Sequence, residues 1–169
     1  MSASPFTSSK KETREEMLNE YYKKYKCPII YVNQIGGQDE LVFDGSSLVV
    51  GVEKESFKTL KSFKTDSLSF KYEHSKFILE NSEDAKETSK LSDIYDALVL
   101  GTRDYVEKNG FKGVIIGSSG GIDSALTTVI AHDALGKEKV KTIMMPFDFT
   151  ADISVCLLYT SPSPRDATL

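Results

Sequence analysis

The chain has 169 residues, of which 40% are hydrophobic and 27% charged, with 11 glycines and 5 prolines. This is the composition of a globular protein, and it excludes a collagen, a wholly disordered chain and a coiled coil. The net charge is −4, whereas a nucleic-acid binder usually carries an excess of basic residues. No apolar run approaches the ~20 residues of a membrane span. We therefore expect a cytoplasmic protein that binds neither nucleic acid nor membrane.

One helix is predicted near the start of the chain. Ser9 and Glu12 have the spacing of a capping box, in which each end of the motif binds an orphan backbone N–H. The helix should end at Cys27-Pro28. Its apolar face is expected to contain Met17, Leu18, Tyr21, Tyr22 and Tyr25.

Short strands are predicted after this helix. Residues 29–32 indicate a buried strand, and residues 34–39 indicate the turn that follows it. Residues 41–43 and 48–50 flank Asp44-Gly45, which is a hairpin signal.

Two weaker strands, at residues 69–73 and 76–79, lead into a polar segment. Residues 81–90 contain almost no apolar side chain, so we predict a linker or an exposed helix start there. A helical stripe follows and is ended by Asn109-Gly110, a left-handed cap. Its members are Leu91, Ile94, Tyr95, Leu98, Val99, Tyr105 and Val106.

A strand–loop–helix–strand unit comes next. Residues 114–116 indicate a parallel strand buried on both faces, and residues 140–145 indicate the next strand. This order implies a right-handed crossover and a parallel α/β sheet. The helix between the strands should end at Gly136 and present Ile122, Ala125, Leu126, Val129, Ile130 and Ala134 on one face.

The loop before that helix is the candidate ligand site, because ligands bind at the carboxyl ends of strands in such sheets. Glycines let the backbone approach closely, and a helix start offers unpaired N–H groups and about half a positive charge to an anion. No lysine follows the glycines, so the loop differs from GxxxxGK[ST] and favours pyrophosphate. Its residues are Gly117, Ser118, Ser119, Gly120, Gly121, Ile122, Asp123 and Ser124, with Ser119 and Ser124 adding hydroxyl donors.

Asp123 lies in the first turn of the predicted helix and has two interpretations. A carboxylate there interacts favourably with the helix dipole, so a capping or loop-bracing role would explain it. Beside a phosphate it would be repelled unless a divalent cation such as Mg²⁺ bridges the two. We favour the magnesium role and keep the structural role as the alternative.

Two blocks of the sequence resemble the glutamine-dependent NAD⁺ synthetases. SGGIDS, at residues 119–124, resembles the loop of the N-type ATP pyrophosphatases, and GSSGGIDSALTTVIAHDALG with VKTIMMPF is similar to the start of the synthetase domain. The upstream block, ASPF…K…YVNQIGGQDELVFDG, resembles the end of the nitrilase-like glutaminase domain.

The resemblance implies an α/β fold class in two parts. Residues 1–80 would be the end of a nitrilase-like α/β sandwich, residues 81–90 a linker, and residues 91–155 the start of a Rossmann-like parallel sheet of the adenine nucleotide alpha hydrolase type. The last fourteen residues, 156–169, do not continue this pattern, and we expect them to be a cloning-derived tail.

The resemblance also implies an activity, which is the ATP-dependent amidation of deamido-NAD⁺ to NAD⁺ through an adenylated intermediate. Ammonia would come from glutamine hydrolysed at a Cys–Lys–Glu site. The implied partners are ATP with Mg²⁺, deamido-NAD⁺, L-glutamine or ammonia, and further copies of the chain in a homo-oligomer.

Residue by residue, the resemblance assigns ATP binding to residues 117–124, magnesium to Asp123, and glutamine binding to Ser4 and Lys10. From the residues alone, Lys10 could equally be a solvated residue at a helix start. The glutaminase Glu, Lys and Cys match no residue of this chain. Cys27 adjoins Pro28 at a helix end, so we expect a packed thiol rather than the nucleophile.

We therefore expect a fragment that alone neither hydrolyses glutamine nor makes NAD⁺. Two alternatives stay open. One is another ATP pyrophosphatase amidotransferase, such as a GMP or asparagine synthetase, and the other is a non-catalytic ATP-binding module.

Overall fold

A computed structural model describes residues 2–53, 57–81 and 88–144. The chain divides into two compact units, Met1–Ala97 and Leu98–Leu169. In chain order the elements are α1 (Lys10–Tyr25), β1 (Ile29–Tyr31), β2 (Ile35–Gln38), β3 (Leu41–Asp44), β4 (Leu48–Val50), β5 (Phe57–Thr59), β6 (Ser69–Glu73), β7 (Lys76–Asn81), α2 (Lys90–Lys108), β8 (Val114–Ser118), α3 (Ile122–Leu135), a 3-10 turn (Lys137–Lys139) and β9 (Val140–Met144).

The predicted first helix is confirmed, but its capping box is wrong. Ser9 occupies the N-cap position without a side-chain cap hydrogen bond. The Thr13 hydroxyl instead donates to the Ser9 carbonyl at 3.1 Å, and the Glu12 carboxylate pairs with Lys90 at 3.0 Å. The helix ends where Lys26 adopts a left-handed conformation and donates its N–H to the Tyr22 carbonyl.

The predicted apolar face of α1 is only partly correct. Leu18 is buried with Leu48 and Val50, and Tyr22 packs against this cluster. Leu18 and Tyr22 are four residues apart and therefore share one face of the helix. Three further members of the predicted face are exposed: Met17, Tyr21 and Tyr25.

The strand predicted at residues 29–32 forms, but it is not buried throughout. β1 lies at the edge of an antiparallel sheet of order β1-β4-β5. Ile29 and Tyr31 pack against the core, while Ile30 and Val32 are exposed. Alternate residues of a strand point to opposite faces, so an edge strand covered on one side buries only half of its side chains.

The turn predicted at residues 34–39 is wrong. Ile35–Gln38 forms strand β2, which pairs antiparallel with β3. The turn needs only Asp39 and Glu40, and Asp39 takes the left-handed φ of 50°. The two glycines that suggested a turn, Gly36 and Gly37, are buried within the strand.

The hairpin predicted around Asp44-Gly45 is also wrong, although both strands exist. β3 pairs with β2, whereas β4 pairs with β1 and β5. Gly45 and Ser46 have φ of 67° and 46°, and they carry the chain from one sheet to the other. The later pair is confirmed, because β6 and β7 form an antiparallel hairpin through His74 and Ser75.

In α2, the helix and its cap are confirmed, with Gly110 at φ 70°. The predicted stripe is only partly correct, because Val106 is buried as predicted but Ala97 and Leu100, which lie outside the stripe, are buried as well. Leu91, Ile94, Leu98 and Tyr105 are exposed. The unit boundary at residues 97–98 falls inside this helix.

The predicted strand–helix–strand unit is confirmed. β8 and β9 pair in parallel, with Val114 opposite Val140 and Ser118 opposite Met144. Burial of β8 on both faces is wrong, because Ile115 is 69% exposed. On α3 the predicted face member Ala134 is buried, together with Ala131, whereas the predicted members Ile122, Leu126 and Val129 are exposed.

The overall α/β class is confirmed by the parallel β8–β9 pair with its crossover helix and the mixed first unit. The proposed domain limits stay predictions. Residues 82–87 of the predicted linker, Met145 and Pro146 at the end of the last predicted strand, and the tail at 156–169 lie outside the described residues. Within the described ranges, none of the helices has the length and apolarity that crossing a bilayer requires.

Candidate functional site

The β8–α3 loop brings Gly117–Ser124 to the carboxyl end of a parallel strand. Gly117 and Ser118 are the last residues of β8, and Ile122 is the first residue of α3. Between them Gly120 has φ of 78°, which L side chains rarely adopt, so glycine is required there to turn the chain into the helix. The predicted residues therefore form one continuous loop between the strand and the helix.

The first turn of α3 has free backbone donors. The N-cap residue is Gly121, which has no side chain to cap the helix. The first intrahelical bond joins the Ala125 N–H to the Gly121 carbonyl at 3.1 Å. The N–H groups of Ile122, Asp123 and Ser124 come before that bond, so they have no helix carbonyl four residues earlier to accept them, as expected at an uncapped helix start. These donors and the helix dipole favour an anion.

Two hydroxyl groups lie beside these donors. The Ser119 and Ser124 Oγ atoms are 3.3 Å apart. Ser119 Oγ accepts the Gly121 N–H at 3.4 Å, and Ser124 Oγ donates to the Gly121 carbonyl at 2.9 Å. Ser119 is exposed and Ser124 is half-buried, and within the described part of the chain both hydroxyls make only these local bonds, so they can rotate to donate to a ligand.

Asp123 is exposed in the first turn of α3. Its backbone carbonyl accepts a hydrogen bond from the Thr127 hydroxyl at 2.8 Å. Its place in the first turn of α3 suits the capping or loop-bracing role as well as the magnesium role, and both stay open. No group of three or more His, Cys, Asp or Glu side chains suited to a metal occurs in the described part of the chain. A cation at Asp123 would therefore need oxygen ligands from a bound phosphate or water.

Ser4 lies in the other unit, in the irregular segment that precedes α1. Its backbone N–H donates to Asn33 Oδ1 at 2.9 Å, and its carbonyl accepts from Asn33 Nδ2 at 3.1 Å. Lys10 is the first residue of α1 and is half-buried. No contact between the side chains of Ser4 and Lys10 is found among the described residues, so the structure does not by itself join them into one site.

A buried polar cluster that the sequence analysis missed surrounds Ser4. Asn33 is 6% exposed, and its Nδ2 also lies 3.4 Å from Asp44 Oδ1. Asp44 is 1% exposed and accepts a hydrogen bond from Arg14 Nη2. The available signal was Arg14, a charged residue four positions before Leu18 on the buried face of α1.

Tyr31 joins the same cluster. Its hydroxyl donates to Ser2 Oγ at 3.1 Å, and its ring lies 5.9 Å from the Arg14 guanidinium. Burial disfavours the Tyr31 phenolate, but hydrogen bonds with Ser2, Arg14 and Ser4 outweigh burial and lower the pKa of Tyr31. For Arg14, burial disfavours the charge, while the hydrogen bond and attraction to Asp44 exceed that effect and raise its pKa.

Cys27 differs from its predicted environment. The thiol is exposed rather than packed, and its Sγ lies 3.8 Å from the Pro28 carbonyl. The left-handed Lys26 ends α1 just before it, which places Cys27 outside the helix and away from the core.

Comparison with known proteins matches both parts of the chain. The NAD synthase family model matches residues 94–156. The chain is 41% identical over 155 residues to a glutamine-dependent NAD⁺ synthetase of Acinetobacter baylyi, covering 92% of this chain and 29% of the relative. A Thermotoga maritima relative of the same description is 34% identical, with 92% and 32% covered. The chain thus spans about 30% of the length of the curated relatives it matches.

Solved structures give the same result. A glutamine-dependent NAD⁺ synthetase of Acinetobacter baumannii in complex with ADP matches with a TM-score of 0.81 and 43% identity, over 92% of this chain and 30% of that one. A Cytophaga hutchinsonii synthetase has a TM-score of 0.69 at 18% identity, over 90% and 31%, and supports the fold alone. The expected resemblance to this family is therefore confirmed.

Proposed function

We propose that this chain is part of a glutamine-dependent NAD⁺ synthetase and that its β8–α3 loop binds the phosphates of ATP. The reaction would be amidation of deamido-NAD⁺ to NAD⁺ through an adenylated intermediate. The observation that carries the proposal is the uncapped start of α3 after the left-handed Gly120, at the carboxyl end of a parallel strand.

The geometry suits the departure of pyrophosphate. When a carboxylate attacks the α-phosphorus of ATP, negative charge develops on the leaving pyrophosphate. Fixed N–H donors at the start of α3 would stabilise that charge without reorganising, and stabilisation of this kind supplies most of the rate enhancement in many enzymes. Ser119 and Ser124 would add hydroxyl donors to the same oxygen atoms.

Asp123 is proposed to hold Mg²⁺ with ATP. Its carboxylate supplies the oxygen ligand that Mg²⁺ prefers, and it is exposed beside the free N–H groups of α3. A bound Mg²⁺ supplies charge neutralisation between a carboxylate and phosphate oxygens. One protein carboxylate is enough for such a site because substrate phosphates and water fill the other positions.

Ser4 and Lys10 are proposed to contribute to the glutamine site. Ser4 is rigidly held through its backbone, and Lys10 offers a cation to the ligand's carboxylate at the start of α1. L-glutamine or free ammonia would supply the nitrogen. We further propose a cytoplasmic location and a homo-oligomeric assembly for the whole enzyme.

The proposal has two competitors. Another amidotransferase of the ATP pyrophosphatase type would bind ATP in the same loop but would not share the first unit, over which the synthetase relatives also match this chain. A non-catalytic ATP-binding module would bind ATP without any turnover in the complete protein.

The test is a titration of the isotope-labelled chain with ATP and Mg²⁺, followed by amide chemical shifts. We expect the largest shifts at Gly117–Ser124 and none at exposed residues of the β6–β7 hairpin. Inorganic pyrophosphate should compete with ATP for these shifts. ATP binding with no response from the loop, or with a response equal to that of the hairpin, would refute the assignment.

A further inference from the structure

We infer that Asn33 is a positioning residue for Ser4 in glutamine binding. The inference rests on the proposed function, since Ser4 is a glutamine ligand only if that proposal holds. It adds a residue whose side chain bonds to the Ser4 backbone and which acts by fixing that backbone.

The contacts between these residues form a two-point clamp. Ser4 N–H donates to Asn33 Oδ1 at 2.9 Å, and Asn33 Nδ2 donates to the Ser4 carbonyl at 3.1 Å. Ser4 belongs to neither a helix nor a strand. The clamp therefore supplies the hydrogen bonds that regular structure would otherwise give to its backbone.

Only an amide side chain completes this pattern. The Ser4 N–H requires an acceptor, whereas the Ser4 carbonyl and the Asp44 carboxylate both require donors. Asn33 has one acceptor oxygen and two N–H donors, and it directs Nδ2 to both the Ser4 carbonyl and Asp44. An aspartate of the same shape would place a second carboxylate against Asp44 without any donor.

Further contacts fix the side chain and the backbone of Asn33. Arg14 of α1 donates to Asp44, which fixes the carboxylate that orients the Asn33 amide. The backbone of Asn33 is fixed separately, because its N–H donates to Ser47 Oγ at 3.0 Å and its carbonyl lies 3.3 Å from the same hydroxyl. Ser47 thus contacts Asn33 without taking part in the clamp.

This separation allows a matched experiment on the full chain. The variants are Asn33→Asp, which keeps the shape and loses the donors, Asn33→Ala, which loses the side chain without adding a charge, and Ser47→Ala as the control. Each is measured for thermal unfolding, for hydrogen exchange at the Ser4 amide, and for L-glutamine affinity from the amide shifts of Ser4 and Lys10.

The expected results distinguish an effect on the position of Ser4 from an effect on the stability of the chain. Both Asn33 variants should exchange the Ser4 amide at least about tenfold faster and bind L-glutamine about tenfold more weakly, since a lost buried hydrogen bond is worth roughly that factor. Ser47→Ala should lower the unfolding temperature but leave both quantities within about twofold.

Three outcomes would overturn the inference. Asn33→Ala could retain the glutamine affinity of the unmodified chain, or it could fail to fold. Alternatively, Ser47→Ala could weaken glutamine binding as much as the Asn33 variants do. Each of these results would make Asn33 purely structural. In the unmodified chain, the Ser4 amide could exchange slowly while its shift does not respond to L-glutamine. That result would refute the proposed glutamine site, and this inference with it.

Discussion

Gly120 and Gly121 have different roles at the start of α3. Gly120 has φ of 78°, where a side chain costs about 1–2 kcal/mol. Gly121 has φ of −87°, and among the described residues an added Cβ would meet Ser119 Oγ alone, at 3.4 Å. A left-handed turn therefore requires the first glycine, whereas the fold does not require the second.

The corresponding prediction compares two alanine variants. Gly120→Ala should lower the free energy of unfolding by about 1–2 kcal/mol, and Gly121→Ala by less than about 0.5 kcal/mol. Gly121→Ala should nevertheless weaken ATP binding, because its methyl group obstructs the close approach of a phosphate to the backbone. Urea unfolding and ATP titration measure these effects. A stable Gly121→Ala chain with unchanged ATP affinity would show that no phosphate approaches this residue.

Asp123 is the second site residue with a testable role. If it holds Mg²⁺, Asp123→Asn should raise the Kd for ATP about tenfold with Mg²⁺ present. Without Mg²⁺ the same variant should bind ATP as well as the unmodified chain or better, because a repelling charge is gone. Calorimetry under both conditions measures this, with Asp133→Asn near the other end of α3 as the control. Equal weakening with and without Mg²⁺ would contradict the magnesium role.

At the scale of elements, α1 is docked by apolar packing and by one buried ion pair. Leu18 packs into the core with Leu48 and Val50, while Arg14, 5% exposed, bonds to Asp44 of β3. A buried pair adds little net stability over apolar residues, but the loss of one partner leaves an unpaired charge in the interior. The pair therefore fixes the helix in place more than it strengthens the fold.

Breaking this pair should be costly. Asp44→Ala should lower the free energy of unfolding by about 3–5 kcal/mol, and combining it with Arg14→Met should recover part of that loss. The exposed pair Lys71–Glu80 is the control, and Lys71→Ala should cost less than about 1 kcal/mol. Urea unfolding gives all three values. Similar losses for the buried and the exposed pair would contradict this account of α1.

The elements that local sequence predicts best are those with strong end signals. α2 and α3 end at glycines with positive φ, Gly110 and Gly136, as the sequence indicates. Strand pairing was not predictable in the same way. The glycines at 36–37 and the pair Asp44-Gly45 both suggest turns locally, but the partners of β2, β3 and β4 are decided by contacts distant in the sequence.

The candidate site was also predictable only where its residues are contiguous in the sequence. The loop at 117–124 was found because strand end, glycines and helix start are contiguous in the sequence. The cluster around Ser4 was missed because Arg14, Asn33 and Asp44 are separated along the chain and meet only after folding. Hydrophobic patterning also placed Ile122, Leu126 and Val129 inside, since it reports an apolar face and not what covers it.

At the scale of the whole molecule, the second unit exposes large apolar side chains. Ile115 on β8 is exposed, as are Ile122, Leu126 and Val129 on α3 and Ile143 on β9. Exposed apolar residues on neighbouring elements favour association between copies of a chain.

This exposure predicts concentration-dependent association. Leu126→Lys combined with Val129→Lys should reduce association without lowering the unfolding temperature, because both residues are exposed. Ala131→Lys on the same helix should destabilise the unit, since Ala131 is buried. Sedimentation over a range of concentrations measures association. Identical association before and after the double change would show that another surface is responsible.

The most direct test of pyrophosphate binding by the start of α3 is a crystal structure of the chain with AMP and diphosphate. We predict that diphosphate oxygens accept hydrogen bonds from the N–H groups of Ile122 and Asp123, beside the hydroxyls of Ser119 and Ser124. Diphosphate bound elsewhere, with the start of α3 in contact with solvent alone, would contradict the claim.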